Sequence, residues 1–254
     1  QKNPQHRFTN LYSLMHWDYW IQCAAEAVLS RPGSSTAGVD GTTRDNFKKN
    51  YEQEMQMLME SLKKKTYQPQ PVRRVDIPKP GKKDEFRMRG VPSIRDRTIQ
   101  ATLKILLEPI FEPLFSKNSY GFRPGRNQRQ AVEAAQQIVA SGKGYCVDID
   151  LSKFFDRVNH DRLISRLTEQ IEDKRILRVI GMTLRSGVMK DGFVSATLEG
   201  TVQGSPLSPL LSNVVLDELD KELERRGLEF CRFADDANVF TGSRKAAERA
   251  MANI

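Results

Sequence analysis

Two adjacent carboxylates between short apolar runs constrain this chain more than any other feature. Leu228 to Phe240 reads as two short strands meeting at Ala234-Asp235-Asp236, which predicts a tight hairpin carrying both acids at its turn. Adjacent carboxylates repel, so holding them between apolar strands is costly unless positive charge offsets it. A divalent cation does so directly, because hard cations take oxygen ligands. Aspartate is also common in ordinary turns, and the pair alone leaves that reading open. A second stretch narrows the choice. Tyr145 to Asp150 (YCVDID) reads as a short strand, and alternation puts Asp148 and Asp150 on one side of it. One aspartate at a strand end plus a pair on a neighbouring hairpin is the set two-metal phosphoryl transfer needs. One ion activates the attacking hydroxyl and the other steadies the leaving pyrophosphate.

The remaining pattern predicts mixed structure. Leu11 to Leu29 is helical in period and is broken by Arg31 to Thr36 (RPGSST); Phe47 to Lys65 is helical again. Val72 to Pro80 and Phe86 to Val91 read as the arms of a basic hairpin. Asp96 is expected to cap a helix starting near Arg97, with Ile99, Leu103, Leu106, Ile110 and Leu114 at helical spacing and Pro109 and Pro113 kinking or ending it. A glycine-rich basic loop, Tyr120 to Arg126, precedes a helix capped by Asn127 and closed by Gly142. Another helix is expected from about His160, and Phe193 to Leu198 as an edge strand. Ser208 and Pro209 start a helix with Leu211, Val215, Leu219 and Leu223 on one face, ending before Gly227. Helices and strands do not alternate regularly, which favours an α+β fold over a doubly wound sheet.

Composition excludes several classes. No apolar run approaches the roughly 20 residues that cross a bilayer, so no membrane association is expected. Three scattered cysteines and three scattered histidines argue against a disulfide framework and a zinc site, and a reducing compartment such as the cytoplasm fits best. No Gly-x-Gly-x-x-Gly follows a strand, which removes a dinucleotide enzyme. The net charge is +8, and the excess is local: Ser61 to Gln100 holds twelve Lys/Arg against four Asp/Glu, while the rest of the chain carries 28 of each sign. Such a window suits phosphate backbones, an acidic partner, or simply a solvated basic face.

With these residues on the page the chain resembles a known family. FADD (Phe233 to Asp236) is similar to the Tyr-X-Asp-Asp motif of reverse transcriptases. Asp148 to Leu163 (DIDLSKFFDRVNHDRL), Ile77 to Pro80 (IPKP), Asn118 to Arg126 (NSYGFRPGR) and Gln203 to Asn213 (QGSPLSPLLSN) resemble motifs of group II intron-encoded reverse transcriptases, or maturases, in that family's order. The resemblance covers roughly residues 37 to 254. It implies a right-hand polymerase fold: an N-terminal extension at 1–36, fingers at 37–143, and palm at 144–254, with an antiparallel palm sheet backed by helices and the chain stopping before the primer grip and thumb.

The resemblance also implies roles. Asp150, Asp235 and Asp236 would be the catalytic acids, with Asp150, the Leu151 carbonyl and Asp235 holding two Mg²⁺ ions, or Mn²⁺ in their place. Lys79 and Arg87 would grip the triphosphate of a deoxynucleotide. Phe155, beside Phe154, would stack under the sugar, and Gln203 would lie near sugar and base. Arg123 and Arg126 would touch the template backbone, and Gly204, Ser205 and Pro206 would line the primer–template groove. Asp156 falls outside the metal set and is expected to bond locally or help start the next helix. Phe233 stands where the family more often has Tyr, and Arg87-Met88-Arg89-Gly90 is more basic than the usual form, so Arg89 is an alternative to Arg87. The implied partners are an RNA template or intron RNA, a DNA primer and deoxynucleoside triphosphates, with a homodimer through the N-terminal helix possible. Two readings stay beside RNA-directed DNA synthesis: an RNA-binding splicing cofactor without synthesis, and a retron, diversity-generating or CRISPR-linked reverse transcriptase.

Overall fold

The computed structural model describes residues 6–78, 81, 85–151 and 154–253. In chain order the helices and strands begin with α1 (Tyr12–Met15) and α2 (Asp18–Leu29), followed by a 3-10 turn at Pro32–Ser35. Then come α3 (Arg44–Lys49), α4 (Tyr51–Lys63), β1 (Val72–Pro78), β2 (Phe86–Val91), α5 (Ile94–Phe111) and a second 3-10 turn at Glu112–Leu114. The middle of the chain gives α6 (Gln128–Ala140), β3 (Tyr145–Asp150), α7 (Phe154–Arg157), α8 (His160–Thr168), α9 (Lys174–Leu184), β4 (Val188–Lys190) and β5 (Phe193–Ser195). Last are α10 (Ser208–Arg225), β6 (Glu229–Phe233), β7 (Asp236–Thr241) and α11 (Arg244–Asn253).

Two compact units result. One comprises 1–110 and 155–208; the other comprises 111–154 and 209–254. The consecutive segments expected at 1–36, 37–143 and 144–254 divide the chain by role. Compactness instead groups the N-terminal helices with the basic hairpin and with 155–208, because parallel pairing of β1 with β4 joins Val72 to Val188 and Arg73 to Met189.

The first unit holds a four-stranded sheet in the order β2-β1-β4-β5. The basic hairpin forms as expected, from Arg73 opposite Val91 to Pro78 opposite Phe86. The start of α5 differs from expectation. Asp96 lies inside the first turn, and Ser93 is the cap: its Oγ accepts from the Asp96 N–H at 3.1 Å and donates back to Asp96 Oδ2 at 2.8 Å. The Asp96 carboxylate also takes the Tyr67 hydroxyl and the Gln70 N–H. Burial, not capping, claims this acid. Pro109 sits within α5, and the helix gives way three residues later, at Glu112, to a 3-10 turn that contains Pro113.

The second unit is an antiparallel sheet in the order β3-β7-β6. Val147, Phe230 and Val239 point from its three strands into one cluster with Leu223 of α10 and Ala250 of α11. Asn127 and Gln130 form a reciprocal capping box at the head of α6, and Gly142 leaves that helix at φ +97°.

Candidate active site

The acids come together in the second unit through strand register. β3 and β7 pair from Tyr145 opposite Thr241 to Asp150 opposite Asp236. Directly opposite side chains in an antiparallel pair have Cβ atoms about 5 Å apart, so two residues 86 positions apart in sequence share one face of the sheet. Alternation puts Asp148 and Asn238 on that same face, one pair further along, and the Asn238 amide donates to Asp148 Oδ1 at 2.8 Å. Asp148 is thereby tied sideways, which leaves Asp150 as the β3 acid facing the hairpin turn.

The turn is the tightest available. Phe233 pairs with Asp236, so Ala234 and Asp235 alone connect β6 to β7. Ala234 has φ +60°, a conformation glycine usually supplies at the first position of such hairpins. The backbone of the Asn118–Gly121 stretch lies along β6: Tyr120 N–H donates to the Arg232 carbonyl at 2.8 Å, and Arg232 N–H to the Asn118 carbonyl at 2.9 Å. Gly121 then meets the turn so closely that a Cβ there would stand 2.1 Å from Ala234 N. The NSYG sequence is thus a brace for the acid-bearing turn.

Negative charge crowds Asp236. Burial raises its pKa above the usual carboxylate value, and the negative charges of Asp235, Asp150 and Asp148 push it the same way. Among the described residues no basic side chain is ion-paired to Asp150, Asp235 or Asp236. Hard oxygen donors whose mutual repulsion goes unrelieved fit a divalent cation. As placed, no three His, Cys, Asp or Glu side chains among the described residues close around one point. The fit therefore rests on register and charge. The Leu151 carbonyl accepts the Phe154 N–H at 3.0 Å, which leaves its second lone pair.

The nucleotide-side candidates fall in the first unit. Arg87 Nε donates to Gln203 Oε1 at 2.6 Å, and Gly90 N–H to the Gln203 carbonyl at 3.0 Å. Gly204, at φ +112°, packs on the Gly90 carbonyl, where a Cβ would stand 2.8 Å away, with Arg89 flanking it. Arg87 and Arg89 share a face of β2, and it is Arg87 that reaches Gln203. Gly204, Pro206, Arg31, Arg89 and Lys104 line a cavity of about 570 Å³ in this unit. Lys79 lies outside the described residues.

Several expected roles change. Arg123 is a correction: it is buried, and all five N–H donors are engaged by the Glu112 carboxylate and by the carbonyls of Glu112, Ser116 and Ser119. It shapes the loop and has no donor left for a phosphate. Arg126 donates through Nη1 to the Lys117 and Ser119 carbonyls and lies over the Tyr120 ring. The Ser205 side chain is turned inward onto Gln100 Oε1, so only its backbone is left to line a groove. Phe155 is 8% exposed and its carbonyl accepts the Thr201 N–H, while Phe154 belongs to the second unit. Asp156 does not start the next helix: Asn159 caps α8, accepting from Arg162 N–H.

Sequence reasoning missed Arg232, Asn213 and Asp220. Arg232 is fully buried and paired with Asp220 Oδ2 at 2.6 Å. The signal was present, since a lone cation in an apolar strand (FCRF) demands a buried partner.

Residues 77–254 match the family described as Reverse transcriptase (RNA-dependent DNA polymerase). Protein YkfC of Escherichia coli (strain K12) is 36% identical over 89% of this chain and 60% of its own length. The group II intron-encoded protein LtrA of Lactococcus lactis subsp. cremoris is 34% identical over 91% of this chain and 38% of its own length. The chain thus spans less than two thirds of the length of these relatives. Among solved structures, a partial Cas6-RT-Cas1–Cas2 complex superposes with a TM-score of 0.59 at 26% identity, over 96% of this chain and 41% of that one. With the family match covering most of the chain and the relatives matching nearly all of it, this chain belongs to the reverse transcriptase (RNA-dependent DNA polymerase) family.

Proposed function

We propose that the chain carries the nucleotidyl-transfer site of a group II intron-type reverse transcriptase, adding deoxynucleotides to a primer 3′-hydroxyl on an RNA template. One observation carries the reading: Asp150 stands directly opposite Asp236 across β3 and β7, next to Asp235 at the turn. Asp150, Asp235 and the Leu151 carbonyl would hold two Mg²⁺ ions, with Asp236 beside them at the primer end. When bound, those ions supply charge that lowers the pKa of the attacking hydroxyl and offsets charge on the departing pyrophosphate. Arg87 and Lys79 bind the triphosphate as cations. Gln203, oriented by Arg87 Nε, is supported as the residue at the sugar and base. The chain's own acids would hold the divalent charge where the hydroxyl loses its proton, and the two-residue turn, with Gly121 packed against it, would fix their place.

Primer extension on an RNA template with Mg²⁺ tests the proposal, using this chain and a version extended past Ile254. Synthesis is expected from the extended protein, and Asp235→Ala should abolish it while leaving RNA affinity nearly intact. Collapse of RNA binding in that variant would mean that the acid is structural and would defeat the reading. Persistence of RNA binding with no synthesis from either wild-type form would instead favour a splicing cofactor. A further relative, Nuclear intron maturase 2, mitochondrial, of Arabidopsis thaliana, supports that second reading.

A further inference from the structure

The acid-bearing turn is held in a backbone conformation its sequence does not favour. An L residue at φ +60° costs roughly 1–2 kcal/mol against its ordinary conformations, and Ala234 has no side-chain hydrogen bond to offset it. Conformations of this kind persist only where surrounding structure over-determines them. Gly121 supplies one wall. The other restraint comes from below the turn. Arg232 Nη1 donates to the Ala234 carbonyl at 2.8 Å.

Every donor of that guanidinium is engaged. Nε and Nη2 hold the two oxygens of Asp220 at 2.7 and 2.6 Å, Nη2 also donates to Ser119 Oγ at 2.8 Å, and Nη1 to Asn213 Oδ1 at 3.0 Å. Five N–H groups meet five bonds at zero solvent exposure. Asp220 and Asn213 are seven residues apart on α10, so one helix face fixes the fork, and the fork fixes the turn. The Asn213 amide closes the loop by donating to the Gly121 carbonyl at 3.0 Å, tying the helix to the brace as well. A pair this deeply buried is a poor source of net stability, because desolvation consumes most of its Coulombic gain. Its geometry points to positioning.

We infer that Arg232 is a positioning residue for the carboxylates: through the Ala234 carbonyl, with Asp220 and Asn213 as anchors on α10, it sets the turn conformation in which Asp235 and Asp236 present their oxygens to a divalent cation. The inference rests on the metal-binding reading of the acids proposed above. Arg232 contacts neither nucleotide nor ion; it acts through the backbone.

The test measures Mn²⁺ affinity of the chain by electron paramagnetic resonance of the free ion, with folding followed by circular dichroism and thermal melting. Arg232→Met combined with Asp220→Leu removes one positive and one negative charge, so the net charge near the acids is unchanged and apolar side chains fill the space. A cooperative melt with Mn²⁺ affinity weakened about tenfold supports the inference. A cooperative melt with wild-type affinity overturns it and makes the pair a plain core contact. Should the double variant not fold, Asn213→Ala decides, since it leaves the Arg232–Asp220 pair intact: a loss of about threefold or more supports positioning, and unchanged affinity overturns it. Arg232→Lys keeps the charge with three donors for five acceptors; wild-type Mn²⁺ affinity in that variant would show that charge alone suffices and would also overturn the inference. Asp235→Asn is the separate control. If it leaves Mn²⁺ binding unchanged, the metal reading of the acids falls, independently of Arg232.

Discussion

At the scale of single residues, the site depends on close backbone approach as much as on the acids. Gly121 does not have a positive φ, so alanine there carries no left-handed backbone penalty. Its Cβ would nevertheless stand 2.1 Å from Ala234 N and 2.9 Å from Ala234 Cα, and backbone atoms cannot swing aside. Gly121→Ala should therefore cost about 1–3 kcal/mol, the usual range for overpacking, and lower the melting temperature by several degrees. Thermal melting by circular dichroism checks this, and a melting temperature equal to wild type would refute the close approach. The strand end that carries Asp150 and the turn that carries Asp235 and Asp236 were legible in the sequence because alternation and a two-residue turn are local rules, whereas the β3–β7 pairing that sets Asp150 opposite Asp236 is long-range. Arg123 was misread for the opposite reason. A basic residue in a glycine-rich loop looks like a phosphate ligand until the chain folds back and Glu112 takes its donors. Arg232 announced a buried partner without naming one, since Asp220 and Asn213 lie on another element.

At the scale of elements, periodicity gave the helices and strands, while their ends followed tertiary partners. The helical stretch expected from Phe47 to Lys65 is two helices, parted at Asn50, and the one expected from Leu11 to Leu29 is parted near His16 and Trp17. The start of α5 shows why. Asp96 looks like a cap, yet Tyr67, on the connection between α4 and β1, donates its hydroxyl to Asp96 Oδ1 at 2.7 Å and draws the acid into the core. This joint has a pH signature. Burial pushes the Tyr67 phenol well above its ordinary value, and the Asp96 charge and hydrogen bond push the same way. The folded-state pKa is thus above the unfolded value of about 10, so the neutral phenol is the form that folding favours. Its contribution is complete below pH 10 and is lost as pH rises toward the folded-state pKa. Tyr67→Phe should start about 1–2 kcal/mol less stable at pH 7, with one hydrogen bond gone, but should lose less between pH 9 and 11 than wild type. Urea unfolding followed by tryptophan fluorescence across that range reads the difference; parallel pH profiles would exclude the Tyr67 ionisation as a contributor.

At the scale of the whole molecule, the α+β order was legible but the discontinuity of the two units was not. Which strands pair is a long-range choice: β1 takes β4 across more than a hundred residues, and β3 takes β7 before β6. Charge adds a second long-range property. The whole positive excess lies in Ser61 to Gln100, and within it Arg87 and Arg89 project from one face of β2, both exposed. If this face neutralises phosphates, RNA affinity must fall with salt, because each neutralised phosphate releases condensed counterions and adds about 0.7 to the slope of log K against log salt on single strands. Replacing both arginines by Gln should weaken binding to all RNA sequences alike and reduce that slope by about one to two. Filter binding of a structured RNA at four or more salt concentrations measures both. A slope unchanged in the double variant would remove Arg87 and Arg89 from the RNA-facing surface while leaving the aspartates, and Arg87 as a ligand of the nucleotide triphosphate, untouched as candidates, since neither assignment depends on RNA phosphate contacts at β2.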